Sequence, residues 1–210
     1  MVDVAVVDYG MGNLRSVEQA LRKVSPAAEI VVTDDADVIA NAQRVVFPGQ
    51  GAMPDCMREL DARGLRDTVL QAARSRPFLG ICIGLQMLFE HSDEGDVAGL
   101  GILRGNVVRF ASNMKDAQGG KLKVPHMGWN QVHHIQHPLW NGIDQDARFY
   151  FVHSYYVLPQ DASLAQATSQ YPRSFVCAVA KDNLFGVQFH PEKSSTAGLK
   201  LLQNFVQWNP

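Results

Sequence analysis

The chain is short of cysteine, and neither sign of charge dominates it. Its 210 residues include three cysteines, Cys56, Cys82 and Cys177, an odd number. They are widely spaced, so they form neither a disulfide framework nor a CxxC metal site. Such usage fits a reducing cytoplasm, where a thiol can act as a nucleophile. The formal net charge is −2, so electrostatics offers no case for nucleic acid or an anionic membrane. No apolar run reaches the ~18 residues of a membrane span. Asp3 lies near the start with no basic stretch beside it, so a secretory leader is not expected. Linkers, repeats and low-complexity segments are also missing. One domain over 1–210 is therefore expected, with enough chain for one sizeable core.

What is present alternates between two periodicities. VDVAVVD (2–8) is a buried-strand run, and Gly10, Gly12 and Asn13 mark a turn after it. Leu14, Val17, Leu21 and Val24 then recur at helical spacing, and Ser25-Pro26 closes that helix. EIVVT (29–33) and RVVFPG read as further strands, with helical stretches around 53–62 and 64–74. PFLGI (77–81) is a fourth strand, ending at Cys82. Apolar strands with helices between them predict an α/β fold, a mainly parallel central sheet flanked by helices. The second half adds ILRGNVVRF, RFYFVHSYYV, FVCAVA and LFGVQF, extra strands of antiparallel character, and a last helix near 194–208.

Cys82 stands in FLGICIGLQ (78–86), with Gly80 and Gly84 on either side. Glycine weakens strands and helices, so two of them beside one cysteine call for a reason. Gly-x-Cys-x-Gly between a strand and a helix has the form of a nucleophile elbow, a sharp turn that lifts a nucleophile above a sheet. Near a helix N-terminus the dipole favours thiolate. Backbone N–H groups there can also stabilise an oxyanion. A buried structural cysteine is the alternative.

A thiol nucleophile needs a base, and the base an orienter. His190 follows the strand run LFGVQF, so it should sit at a strand end, where α/β sites gather. Glu192 lies two residues on, able to bond one imidazole nitrogen and leave the other for the thiol. His153 in FVHSYY is a rival base.

GICIGLQ and FGVQFHPEKSS together resemble the class I, triad-type glutamine amidotransferases. The resemblance covers nearly the whole chain, through VVDYGMGNLRSV (6–17), VFPGQGAM (46–53), LRGNVVRF (103–110), VPHMGWNQV (124–132) and YFVHSYYV (150–157). It implies a Cys82 nucleophile, a His190 base and a Glu192 orienter, with no cofactor or metal. It implies an oxyanion hole from the Ile83 N–H and from Gln50 and Gly51 of Pro48-Gly49-Gln50-Gly51. Family members often carry valine where this chain has Gln50, a mild departure because a backbone donor does not depend on the side chain. Gly49 and Gln86 match glutamine-binding positions. PHMGWN and DYGMGNL point to a branch of histidine biosynthesis that passes ammonia to a (β/α)8-barrel cyclase subunit. The chain holds no barrel, so this partner would be another chain, and Met127, Trp129, Asn130 and Lys193 match the docking face. Core packing is the competing reading for Trp129.

Other signals are weaker. Gly10-Met11-Gly12 imitates a dinucleotide loop but lacks the third glycine, so a plain turn is expected. His133, His134 and His137 lack a carboxylate or cysteine cluster and read as exposed histidines. Two further function classes stay open. One is another Cys-dependent hydrolase of the same fold superfamily, or a glutaminase subunit of a different synthase. In such hydrolases the His usually follows the Cys closely, and here His91 should lie toward the end of the elbow helix, out of reach. The other is a partner module without catalysis, against which the intact Cys82, His190 and Glu192 argue.

Overall fold

The computed structural model describes residues 2–115 and 118–210. In chain order it runs β1 (Val4–Val7), α1 (Leu14–Val24), β2 (Ile30–Thr33), α2 (Ala36–Asn41), β3 (Arg44–Gly49), α3 (Met53–Ala62), α4 (Arg66–Ser75) and β4 (Phe78–Cys82). A short α5 (Ile83–Gln86) follows, then β5 (Phe89–Ser92), β6 (Val97–Ala98), β7 (Leu103–Arg109), β8 (His126–Gln131) and β9 (His133–His134). The chain closes with β10 (Arg148–His153), β11 (Tyr155–Pro159), β12 (Ala165–Gln170), β13 (Ser174–Lys181), β14 (Leu184–Val187) and α6 (Ser195–Gln207).

One sheet carries the order β2-β1-β3-β4-β14-β13-β11-β7-β5-β6, with β12 on β13 and β9 on β12. From β2 to β14 every pairing is parallel. From β14 to β7 the pairings are antiparallel, as expected of the strand-rich second half. β1, β3, β4 and β14 are buried along their whole length, which is why they read as unbroken apolar runs. α1 buries Val17, Ala20 and Leu21 and leaves Glu18 and Arg22 paired on its outer face.

The structure departs from the sequence reading in four places. RFYFVHSYYV is two strands, not one. It breaks at Ser154, where β10 leaves a separate two-stranded ribbon with β8 and β11 enters the main sheet. The elbow helix is one turn, so His91 lies on β5, not on a helix, and pairs with Asp96 at 2.9 Å on the surface. α2 was not signalled: it is six residues with Ile39 as its buried side chain, too little for a helical period. Of the three clustered histidines His133 alone is exposed. His134 stacks on Trp140 at 4.8 Å and His137 lies against Phe185. No group of His, Cys, Asp and Glu among the described residues could hold a metal ion.

Candidate active site

Strand β4 delivers Cys82 to the carboxyl edge of the parallel strands, where crevices of α/β sheets form. There its backbone turns to φ 56° and ψ −112°, a region that non-glycine residues rarely occupy. Strain of this kind costs on the order of 1–3 kcal/mol and persists where packing over-determines it. The packing is made by glycines. A Cβ on Gly84 would lie 1.9 Å from the Phe47 carbonyl oxygen, and one on Gly80 3.0 Å from the Gly84 carbonyl oxygen. One on Gly49 would lie 2.7 Å from the Gly84 amide nitrogen. The three glycines let α5 sit directly on β3 and β4, and this close approach is what Gly-x-Cys-x-Gly encodes.

β14 runs parallel to β4 and carries the chain to His190. The His190 amide donates to the Tyr150 carbonyl at 2.9 Å, and the Ser194 hydroxyl donates to the His190 carbonyl at 2.6 Å. The side chain is held as firmly. Nδ1 lies 2.9 Å from Glu192 Oε1, and both side chains are buried. Nε2 has no hydrogen-bond partner and is left to the thiol. Burial pulls His190 toward the neutral form, but the adjacent Cys82, with Glu192 behind, outweighs burial and pushes the imidazole up to about 10. Asn13 Nδ2 reaches Glu192 Oε1 from the start of α1, at 3.5 Å.

His153 is placed differently. It lines the same cleft, but Nδ1 is 2.8 Å from the Tyr155 carbonyl and Nε2 is 2.9 Å from His126 Nδ1. Neither nitrogen is free for Cys82. The cleft has a volume of about 260 Å³ and brings Gln50, Gly51, Ile83 and Gln86 around Cys82 and His190. Gly49 lies just behind, opposite Cys82 across the β3–β4 pairing. Cys56, at the start of α3, donates its thiol to the Gln50 carbonyl at 3.4 Å, and burial pushes that thiol up to about 11. Gly51 holds φ at +104°, which suits glycine.

Two residues at the site had no sequence signal. Gln188 is fully buried, reaches Cys82 Sγ at 3.8 Å through Nε2 and accepts from Gln86 Nε2 at 3.1 Å. Glu94 faces the cleft and accepts from the Met53 amide at 2.8 Å, although HSDEGD reads as an ordinary charged turn. Met127 and Trp129 point outward from β8, 62% and 50% exposed, which removes the core reading for Trp129. Asn130 turns to the opposite side of that strand, toward His126. Lys193 is exposed at the rim of the cleft.

The model of the family described as "Glutamine amidotransferase class-I" matches residues 5–208. The chain belongs to that family. Two relatives of this amidotransferase carry the name imidazole glycerol phosphate synthase subunit HisH. The one from Nitrosospira multiformis is 66% identical, with 100% of each chain covered. The one from Thiobacillus denitrificans is 65% identical over 100% of this chain and 92% of its own. Among solved structures, the crystal structure of a glutamine amidotransferase superposes with a TM-score of 0.74, covering 98% of this chain and 97% of the other at 17% identity, a likeness of fold.

Proposed function

We propose that this amidotransferase is the glutaminase subunit of an imidazole glycerol phosphate synthase, with Cys82 as nucleophile, His190 as acid and base and Glu192 as orienter. The observation that carries the reading is a base whose Nδ1 is fixed by a buried carboxylate and whose Nε2 is left for a cysteine on a strained elbow. With its imidazole pushed up to about 10, His190 rests as imidazolium beside the Cys82 sulfur at neutral pH. The sulfur attacks the side-chain carbonyl carbon of glutamine. The oxyanion so formed takes donors from Ile83 and from the Gln50–Gly51 segment. As the C–N bond breaks, imidazolium gives its proton to the leaving ammonia. Neutral His190 then takes a proton from water, whose oxygen attacks the thioester, and glutamate leaves with the sulfur restored. Gln86 Oε1 is buried without a partner and serves as an acceptor for the substrate, and the Glu94 carboxylate suits its ammonium group.

Ammonia free in solution becomes ammonium and loses its nucleophilicity, so the product has value where an acceptor is close. The relatives' names describe a subunit, which supports a second chain. That chain is a (β/α)8-barrel cyclase in this reading. Met127 and Trp129 give it an apolar anchor and Lys193 a charge with no ion-pair partner among the described residues. No helix among the described residues is long and apolar enough to cross a membrane. In this reading the pair works in the cytoplasm, where a catalytic thiol stays reduced. The test is glutamate release by the chain alone, with the barrel, and with the barrel plus its nucleotide ligand. A rise of orders of magnitude across the three supports a docked, gated glutaminase. No release under any of the three conditions would overturn the assignment.

A further inference from the structure

A polar chain crosses the molecule from the docking strand to the glutamine cleft. Asn130 Nδ2 lies 3.1 Å from His126 Nε2, and His126 Nδ1 lies 2.9 Å from His153 Nε2. His153 Nδ1 lies 2.8 Å from the Tyr155 carbonyl oxygen. That same oxygen accepts from Gln86 Nε2 at 3.1 Å, and Gln86 also donates to Gln188, which reaches Cys82. Both histidines are buried.

The ends of the chain dictate where its protons are. A carbonyl can accept and cannot donate, so His153 carries its proton on Nδ1. Burial drives His153 down to about 3 and His126 down to about 4, so each ring is neutral and has one N–H. His153 Nε2 is therefore an acceptor, and His126 must donate to it from Nδ1. His126 Nε2 is then an acceptor, filled by the Asn130 amide. Asn130 has no freedom to turn: its other N–H donates to the Gln170 carbonyl at 2.9 Å, and its oxygen accepts from the Gln131 amide at 2.9 Å. The donors at Asn130, His126 and His153 run one way, from β8 to the Tyr155 carbonyl, and Gln86 donates to that same oxygen from the cleft side.

At the cleft end lies Gln86, whose Oε1 is buried without a partner. Its amide can present that oxygen to a ligand because both Nε2 donors are taken, by Tyr155 and Gln188. We infer that Asn130, His126 and His153 are positioning residues that fix the Tyr155 carbonyl, and through it the Gln86 acceptor, so that β8 sets how well the cleft binds glutamine. This rests on the glutaminase reading given above.

Packing and hydrogen bonding can be separated at His126. Its ring stacks on Phe151 at 4.9 Å and on Tyr171 at 4.1 Å. His126→Phe keeps an aromatic ring there and loses the donor. His126→Asn loses the ring and keeps an N–H near the Nδ1 position. In the complex with the barrel subunit, His126→Phe should raise KM for glutamine about tenfold, the scale of one buried group left unpaired, and change kcat less. His126→Asn should stay nearer wild type in KM despite the greater loss of packing. Ammonia-driven synthesis by the same complexes reports folding and docking. A His126→Asn KM above that of His126→Phe, or a wild-type KM in both, would overturn the inference. A wild-type complex that releases no glutamate would instead overturn the glutaminase reading, and this inference with it. Histidine 15N spectra of the unaltered chain test the proton placement without any variant. His126 and His153 should both be neutral with the proton on Nδ1, and an Nε2–H form of either would overturn the chain.

Discussion

Replacing Gly84 with alanine tests the packing that produces the elbow. The new Cβ would sit 1.9 Å from the Phe47 carbonyl oxygen, roughly 1.5 Å inside ordinary contact between heavy atoms. Both atoms are anchored, the oxygen in β3 and the Cβ on α5, so no side chain can rotate away. The elements must separate. Overpacking of this kind costs about 1–3 kcal/mol and sometimes more, and backbone on both sides argues for the upper end. For a domain of this size, 3 kcal/mol lowers Tm by roughly 6–12 °C. The separation also moves Ile83 relative to Gln50 and Gly51, which line the opposite side of the cleft. Displacement of about 1 Å can cost ~100-fold in rate. Calorimetry and glutamate release in the complex read the two effects. Gly64→Ala is the control: it has φ +67° and no atom within 4 Å of its Cβ, so it should cost about 1–2 kcal/mol of backbone strain and leave kcat unchanged. A Gly84→Ala chain with wild-type Tm and wild-type kcat would refute the packing argument.

Four further outcomes follow from the same geometry. Cys82→Ala should abolish glutamine-dependent synthesis in the complex and leave ammonia-driven synthesis intact; retained glutamine turnover would remove Cys82 as nucleophile. His190→Ala should cost nearly as much as losing the thiol, and Glu192→Ala less, because an orienter moves no proton; comparison of kcat decides, and a mild His190→Ala beside a crippling His153→Ala would exchange their roles. His190 ionises near 10 in the fold and near 6.5 when unfolded, so its contribution to stability is full below about pH 6.5 and is lost as pH rises through about 10; denaturant unfolding across that window should show a smaller fall for His190→Gln than for wild type, and equal falls would count against the ion pair. Trp129→Ala should weaken association with the barrel by about 2 kcal/mol, a Kd change near thirtyfold by titration calorimetry, and an unchanged Kd would move the docking face elsewhere.

The parts of the molecule legible in the sequence are those where one residue type has one cause. β1, β3 and β4 are buried on both faces, so they appear as apolar runs. Gly80 and Gly84 stand out because a close backbone approach tolerates no other residue. His190 and Glu192 are two residues apart, so their contact is local. The illegible parts depend on pairing at a distance. Gln188 and Gln86 are 102 positions apart, and nothing in VQFHPE marks the glutamine as facing the nucleophile. His126 and His153 meet because β8 and β10 pair antiparallel with those two residues in register. The break at Ser154 is invisible in RFYFVHSYYV, since both halves are good strand sequence and the change of sheet lies in their neighbours.

If the proposed partner docks on β8, those distant pairings decide how it could act on the site. The elbow is a poor lever, since Gly49, Gly80 and Gly84 lock α5 against β3 and β4 with backbone on backbone. The β8–β10 ribbon stands outside the main sheet and meets the site twice. Trp129 packs edge-on to Tyr150 at 6.1 Å, and the Tyr150 carbonyl holds the His190 amide. Asn130, one residue along β8, begins the chain that ends at Gln86. In the proposed reading, a surface that seats on Met127 and Trp129 bears on the base through Tyr150 and on the substrate acceptor through His126 and His153, both routes crossing from β8 to β10. On that proposal Cys82 stays fixed by the glycine packing, and it is His190 and the substrate that a docked partner would bring to it.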